Sequence, residues 1–72
     1  GTTISFSLPH SARVRLQVYN VRGQLVADLT NRNFTAGLHS LTWQAEGLPS
    51  GLYFCTISAG AWKESRKLML LR

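Results

Sequence analysis

Leu48-Pro49-Ser50-Gly51-Leu52-Tyr53-Phe54-Cys55 is the stretch that decides the fold. Pro49 fixes φ and gives up a backbone donor, while Gly51 can take φ > 0 at little steric cost. Directly after them, through Ile57, the chain becomes apolar, aromatic and β-favouring. The pattern is a corner followed by a central strand. Tyr53 and Cys55 lie two apart, so on that strand they share a face.

Working upstream, Ile4, Phe6 and Leu8 alternate with Thr3, Ser5 and Ser7, which predicts a half-buried strand stopped by Pro9. His10-Ser11 follows as a turn. Val14, Leu16 and Val18 alternate with Arg13, Arg15, Gln17 and Tyr19, giving a strand with one apolar and one basic face. Asn20-Val21-Arg22-Gly23 reads as a hairpin loop closed by Gly23 in the left-handed region. A third strand is expected over residues 24–30, where Leu25, Val26, Ala27 and Leu29 do not alternate and leave its faces unassigned. Asn31-Arg32-Asn33 is turn-like. The next strand, 38–44, places His39, Leu41 and Trp43 on one face. Beyond the corner, Ala59-Gly60 is a tight turn, and the last strand runs over 61–71.

No segment holds an apolar stripe of helical period. Five or six short strands separated by Gly, Pro and Asn turns predict a β-sandwich or small barrel, with consecutive strands pairing as hairpins. A Tyr two residues before a core Cys matches the tyrosine corner of immunoglobulin-like sandwiches. The fold expected is therefore all-β, a small immunoglobulin-like antiparallel β-sandwich. Its core is expected to hold Ile4, Phe6, Val14, Leu16, Val18, Leu41, Trp43, Tyr53, Cys55 and Ile57. A buried phenol needs a partner, so the Tyr53 hydroxyl should reach a backbone group in the 46–50 loop.

The chain has 72 residues, and one domain of this size buries only roughly 60% of its unfolded surface. It starts at Gly1 and ends on an apolar strand pattern, so it is expected to be the C-terminal module of a longer protein, with residues 1–72 as one domain. No signal peptide and no transmembrane run is present in it. Cys55 is the single cysteine, which excludes an internal disulfide and predicts a buried, inert thiol. Eight Lys+Arg against three acidic residues give a net charge of +5, which favours acidic partners. The basic residues are spread out, so a solvated basic face is the plain explanation. Nucleic acid is not an expected partner, since only Arg15, Gln17 and Tyr19 approach the needed interleaving of cations and rings.

The catalytic inventory is poor. Asp28, Glu46 and Glu64 are the only carboxylates and lie far apart in sequence. His10 falls in a turn, and His39 reads as a satisfied, partly buried ring with no further ligands at metal spacing. Ser50 lacks the nucleophile elbow, and the glycines form no phosphate cradle. Asn33-Phe34-Thr35 fits the glycosylation acceptor pattern only weakly. No catalytic, cofactor or metal site is expected, and the chain is not expected to be an enzyme.

Taken together, the motifs resemble the C-terminal sorting domain of proteins exported by the type IX (Por) secretion system of Bacteroidetes-like bacteria. The resemblance covers nearly the whole chain. It rests on residues 2–9 as the opening strand, and on residues 14–26 as the family's most recognisable hairpin. Ala36-Gly37-Leu38-His39 and Trp43 carry the middle. Pro49, Gly51 and Tyr53 form the Pro-x-Gly-x-Tyr motif, and Gly60 precedes the closing Lys67-Leu68-Met69-Leu70-Leu71. The pattern is shared with the immunoglobulin-like domain of flagellar hook-capping proteins, and the Pro-Asn-Pro stretch that often precedes the first strand is missing.

The resemblance implies a non-catalytic address label at the extreme C-terminus of a secreted or surface cargo protein. Its implied partners are the outer-membrane secretion machinery, the upstream cargo domain, and a sortase that links cargo to anionic lipopolysaccharide. Two other readings stand beside it. One is a carbohydrate-binding accessory module of a secreted glycoside hydrolase, which Trp62 and Tyr19 on a common flat face would favour. The other is a structural module of an extracellular or flagellar assembly, which an extended apolar surface patch would favour.

The final strand carries the functional expectation. Glu64-Ser65-Arg66-Lys67 is mostly basic, and residues 68–71 are continuously apolar, which is odd for a strand with one wet face. The sorting-signal candidates are Pro49, Gly51, Tyr53, Gly60, Lys67, Leu68, Met69, Leu70, Leu71 and Arg72. Residues 67–72 are expected to serve export through an exposed or detachable edge while contributing modestly to the fold.

Overall fold

Alternation of apolar and hydroxyl or basic side chains builds six strands: β1 (Thr2–Leu8), β2 (Ala12–Tyr19), β3 (Leu25–Phe34), β4 (Gly37–Trp43), β5 (Gly51–Ala59) and β6 (Trp62–Leu70). The computed structural model describes residues 1–71 of the chain, and no helix occurs among them. The strands form two packed antiparallel sheets, a two-stranded sheet of β1 and β4 and a four-stranded sheet in the order β3-β2-β5-β6. The fold is a small immunoglobulin-like antiparallel β-sandwich.

Hairpin pairing holds only in part. β2 pairs with β3, and β5 with β6, but β1 and β2 lie in different sheets, as do β3 and β4. Pro9 explains the first crossing. It has no N–H to continue a ladder, and the chain leaves one sheet there for the other.

The core lies between the sheets. Ile4, Phe6 and Leu8 face Val14, Leu16, Val18, Cys55 and Ile57, all of them buried. Trp43 and Tyr53 meet edge to face, with ring centroids 5.8 Å apart. Leu41 is half-buried rather than central, packed against the cluster from its margin. Arg13 and Arg15 point outward, so the register expected for β2 holds.

The third strand is longer than its sequence suggests. Asn31, Arg32 and Asn33 are not a turn: they continue β3 opposite Arg15, Val14 and Arg13. Arg13 donates from Nε to Asn31 Oδ1 at 2.9 Å, so a side chain that would otherwise fold back on its own backbone is engaged across the ladder. The Arg32 guanidinium lies 3.9 Å from the Phe34 ring centroid, and Phe34 itself is buried. The unassignable faces of β3 have a cause as well. Register shifts between Leu16 and Gln17, and between Val18 and Tyr19, pass over Leu29 and Val26. Each extra residue inverts the alternation, so Val26, Ala27 and Leu29 all pack against the core.

Candidate functional site

Corner, central strand and final strand come together at one end of the β5–β6 hairpin. Gly51 pairs with Leu70, Leu52 with Met69, Tyr53 with Leu68 and Phe54 with Lys67. The structure thus places Gly51 and Tyr53 beside Lys67, Leu68, Met69 and Leu70, whereas Pro49 lines a pocket with Asn20, Arg22 and Val26 at the β2–β3 loop. Gly60 is not part of this group. It sits in the turn at the far end of the hairpin, where Ala59 pairs with Trp62. Arg72 lies outside the described residues.

Local backbone chemistry fixes both ends. Gly51 has φ +149° with nothing within 4 Å of where a Cβ would stand, so conformation rather than crowding selects glycine. The two-residue turn Gly60-Ala61 has φ +61° at its first position, and among the described residues none other than glycine has positive φ. That combination is the II′ turn, whose twist matches the flanking strands. The Tyr53 hydroxyl donates to the Pro49 carbonyl at 2.7 Å, which ties the corner to the strand that follows it.

The final strand has two unlike faces. Leu70 is buried and Leu68 half-buried, both turned to the core. Lys67, Met69 and Leu71 are exposed, Met69 by 60% and Leu71 by 81%. The four apolar residues at the chain end therefore alternate like any strand, but the outward pair is left uncovered. Leu70 belongs to the core, so the modest structural contribution expected of residues 67–72 does not hold for it.

The register adds residues that sequence reading missed. Leu52 and Phe54 share the outer face with Lys67 and Met69, and Tyr19 pairs with Phe54 from β2. All three are half-buried with no sheet above them. The signal was present, because Leu52 and Phe54 are apolar at the positions that alternate with Tyr53 and Cys55. Arg15 lies on the same face and pairs with Asp28 at 3.4 Å.

Cys55 and His39 are held by the core. Burial pushes the Cys55 thiol up to about 11, which leaves it a neutral core group. The His39 ring nitrogen Nε2 lies 2.8 Å from the Thr35 carbonyl, and its ring stacks on Phe6 at 5.6 Å. Among the described residues no three His, Cys, Asp or Glu side chains group at metal-binding distance. Among the described residues no helix is long and apolar enough to cross a membrane. Trp62 faces the inner side at the Gly60 end, whereas Tyr19 faces outward at the other end, so they share no flat platform.

No curated protein and no solved structure matches the chain. A family model described as "Secretion system C-terminal sorting domain" matches residues 2–71. That span takes in every strand, the corner and the exposed chain end, and the chain belongs to the family of secretion system C-terminal sorting domains.

Proposed function

We propose that this domain is a non-catalytic C-terminal signal that directs an upstream cargo protein across the outer membrane by the type IX system and leads to its attachment at the cell surface. The family match over residues 2–71 supports the sorting role and, with it, engagement of secretion machinery. The observation that supports the choice of site is the uncovered outward pair Met69 and Leu71 beside Lys67, at the end of an edge strand. An apolar pair of this kind, with a cation next to it, suits a receptor surface that is apolar with acidic groups. Pro49, Gly51 and Tyr53 hold the strand that presents it. Gly60, at the far end, shapes the hairpin.

The net charge of +5 suits proximity to anionic lipopolysaccharide, and the reading extends to removal of the domain by a sortase. The test fuses residues 1–72 to a periplasm-stable reporter in a type IX-competent host. Surface delivery of the fusion is expected, with Lys67→Ala weakening it. Deleting residues 68–72 should strand the reporter in the periplasm. Normal delivery by the truncated fusion would sink the signal at this strand and favour a structural module.

A further inference from the structure

The sandwich has one side open. Two strands cannot cover four, and β1 leaves part of the inner face of β6 half-covered, including Glu64, Arg66 and Leu68. Three observations trace this seam. At its middle, Arg66 reaches from β6 to donate to the Ser5 carbonyl of β1. At one end a mainly apolar cavity of about 520 Å³ lies between Leu8, Pro9 and Trp62, a residue 39% exposed. At the other, a cleft of about 300 Å³ lies between Thr2, Gln44 and Leu70. The opposite side of the sandwich is closed, because Phe34 packs edge to face on Phe6 and His39, and Arg32 lies over Phe34.

The Arg66 bond also shows which way β1 turns its backbone. Ser5 pairs with Ser40 of β4, and their hydroxyls are 3.1 Å apart, yet the Ser5 carbonyl points to β6. In an antiparallel ladder a residue whose carbonyl points away from its neighbour turns its N–H away too, and residues two apart behave alike. Thr3, Ser5 and Ser7 therefore present donors and acceptors along a free edge, with a guanidinium standing where a strand's N–H would.

Exposed edges are ordinarily protected. β6 carries Lys63, Arg66 and Lys67, and β3 has two register shifts with Asp28 and Arg32. β1 is Thr-Thr-Ile-Ser-Phe-Ser-Leu, with no charge, no proline and no register shift. The geometry points to the free edge of β1 as a strand-addition site, which takes an extended segment of an acidic partner protein into the seam. Its inward residues alternate: apolar over the Trp62 cavity, a carboxylate at Arg66, and a small residue that packs on Leu70 in the mixed cleft with Thr2 and Gln44. The incoming backbone N–H replaces the guanidinium on the Ser5 carbonyl, and Arg66, whose Nε stays on Glu64, turns its freed Nη1 to the carboxylate. Charge selects the partner. Asp28 and Glu64 are already paired with arginines, so the field of this +5 chain is set by its remaining cations, and a second copy is repelled. The β1 edge is distinct from the outward Met69 and Leu71 surface, although those two residues also border the cleft at the Leu70 end.

The probe is the acetylated, amidated heptapeptide Thr-Val-Thr-Glu-Thr-Val-Thr, titrated into the isotope-labelled domain, with amide hydrogen exchange as readout. Saturating peptide should slow exchange at Thr3, Ser5 and Ser7 at least tenfold and leave the β3 edge unchanged. The same peptide with Lys for Glu should bind at least fivefold more weakly. Ser5→Pro removes the outward N–H together with the exposed hydroxyl contact to Ser40, and should weaken binding at least tenfold with the circular dichroism of the sandwich retained. Should that variant unfold, the wild-type exchange map decides alone. Protection confined to β3, β4 or β6 would overturn the assignment. So would equal affinity for the Lys peptide, or β1 protection that rises with protein concentration in the absence of peptide, the mark of a second copy.

Discussion

The Tyr53 hydroxyl and the Pro49 carbonyl are joined at 2.7 Å across four residues, and that bond converts a Pro-Gly corner into a fixed entry to β5. The phenol ring is buried against Trp43, so its hydroxyl has given up water for this one acceptor. Tyr53→Phe should therefore cost about 1 kcal/mol, the usual net value of one hydrogen bond. For a domain of this size that lowers the melting temperature by roughly 4–8 °C. Thermal denaturation followed by circular dichroism checks it, and an unchanged transition would show that the bond is not held in solution.

Gly51 should resist substitution for backbone reasons alone. At φ +149° an L-residue is strained although the space is open. Gly51→Ala is expected to destabilise by about 1–3 kcal/mol, the cost of a sparsely populated backbone conformation. A urea titration measures it. A neutral result would mean that the corner relaxes around the new side chain, and would weaken its role in presenting β6.

Most of the fold was legible because most strands alternate without interruption. β1, β2 and the inner face of β5 could be assigned residue by residue, since a period of two leaves one choice of buried face. β3 was not legible, for two physical reasons. Its extra residues at Val26 and Leu29 invert the alternation, and its Asn-Arg-Asn stretch uses turn-favouring residues in cross-strand contacts. The sheet order was hidden too, because pairing of β1 with β4 depends on a chain crossing that no local pattern records. Of the candidate site, the chain end was visible as an apolar run. Its division into a core half, Leu68 and Leu70, and an exposed half, Met69 and Leu71, required the register.

Cys55 makes stability depend on pH in an unusual window. Its thiol is fully buried, and burial raises it from 9.0 to about 11. Below 9 both the folded and unfolded chains hold the proton, and this group adds no pH dependence. As pH rises from 9 towards 11 the unfolded chain loses the proton first, so the folded state binds more protons and stability falls. At about 1.36 kcal/mol per pH unit, the loss reaches roughly 2–3 kcal/mol at the top of the window. Guanidinium titrations at pH 8.5, 9.5 and 10.5 should show the midpoint dropping. Cys55→Ala should make the slope shallower by the thiol's share. An identical slope in the variant would mean the thiol opens to solvent in the native state.

The outward residues of β6 allow stability and sorting to be separated, which deletion of the strand end does not. Deletion removes Leu70 from the core and the ladder partners of Gly51, Leu52 and Tyr53, so lost export could reflect lost folding. Met69 and Leu71 are 60% and 81% exposed, and replacing them with serine should leave stability within about 0.5 kcal/mol. Leu70→Ala, one residue away and buried, should instead cost about 2–5 kcal/mol. If the uncovered pair is what the secretion machinery reads, Met69→Ser with Leu71→Ser should retain the reporter in the periplasm although the domain melts like the parent. If Leu70→Ala impairs delivery while the double serine variant is exported normally, the machinery reads the folded sandwich rather than this surface.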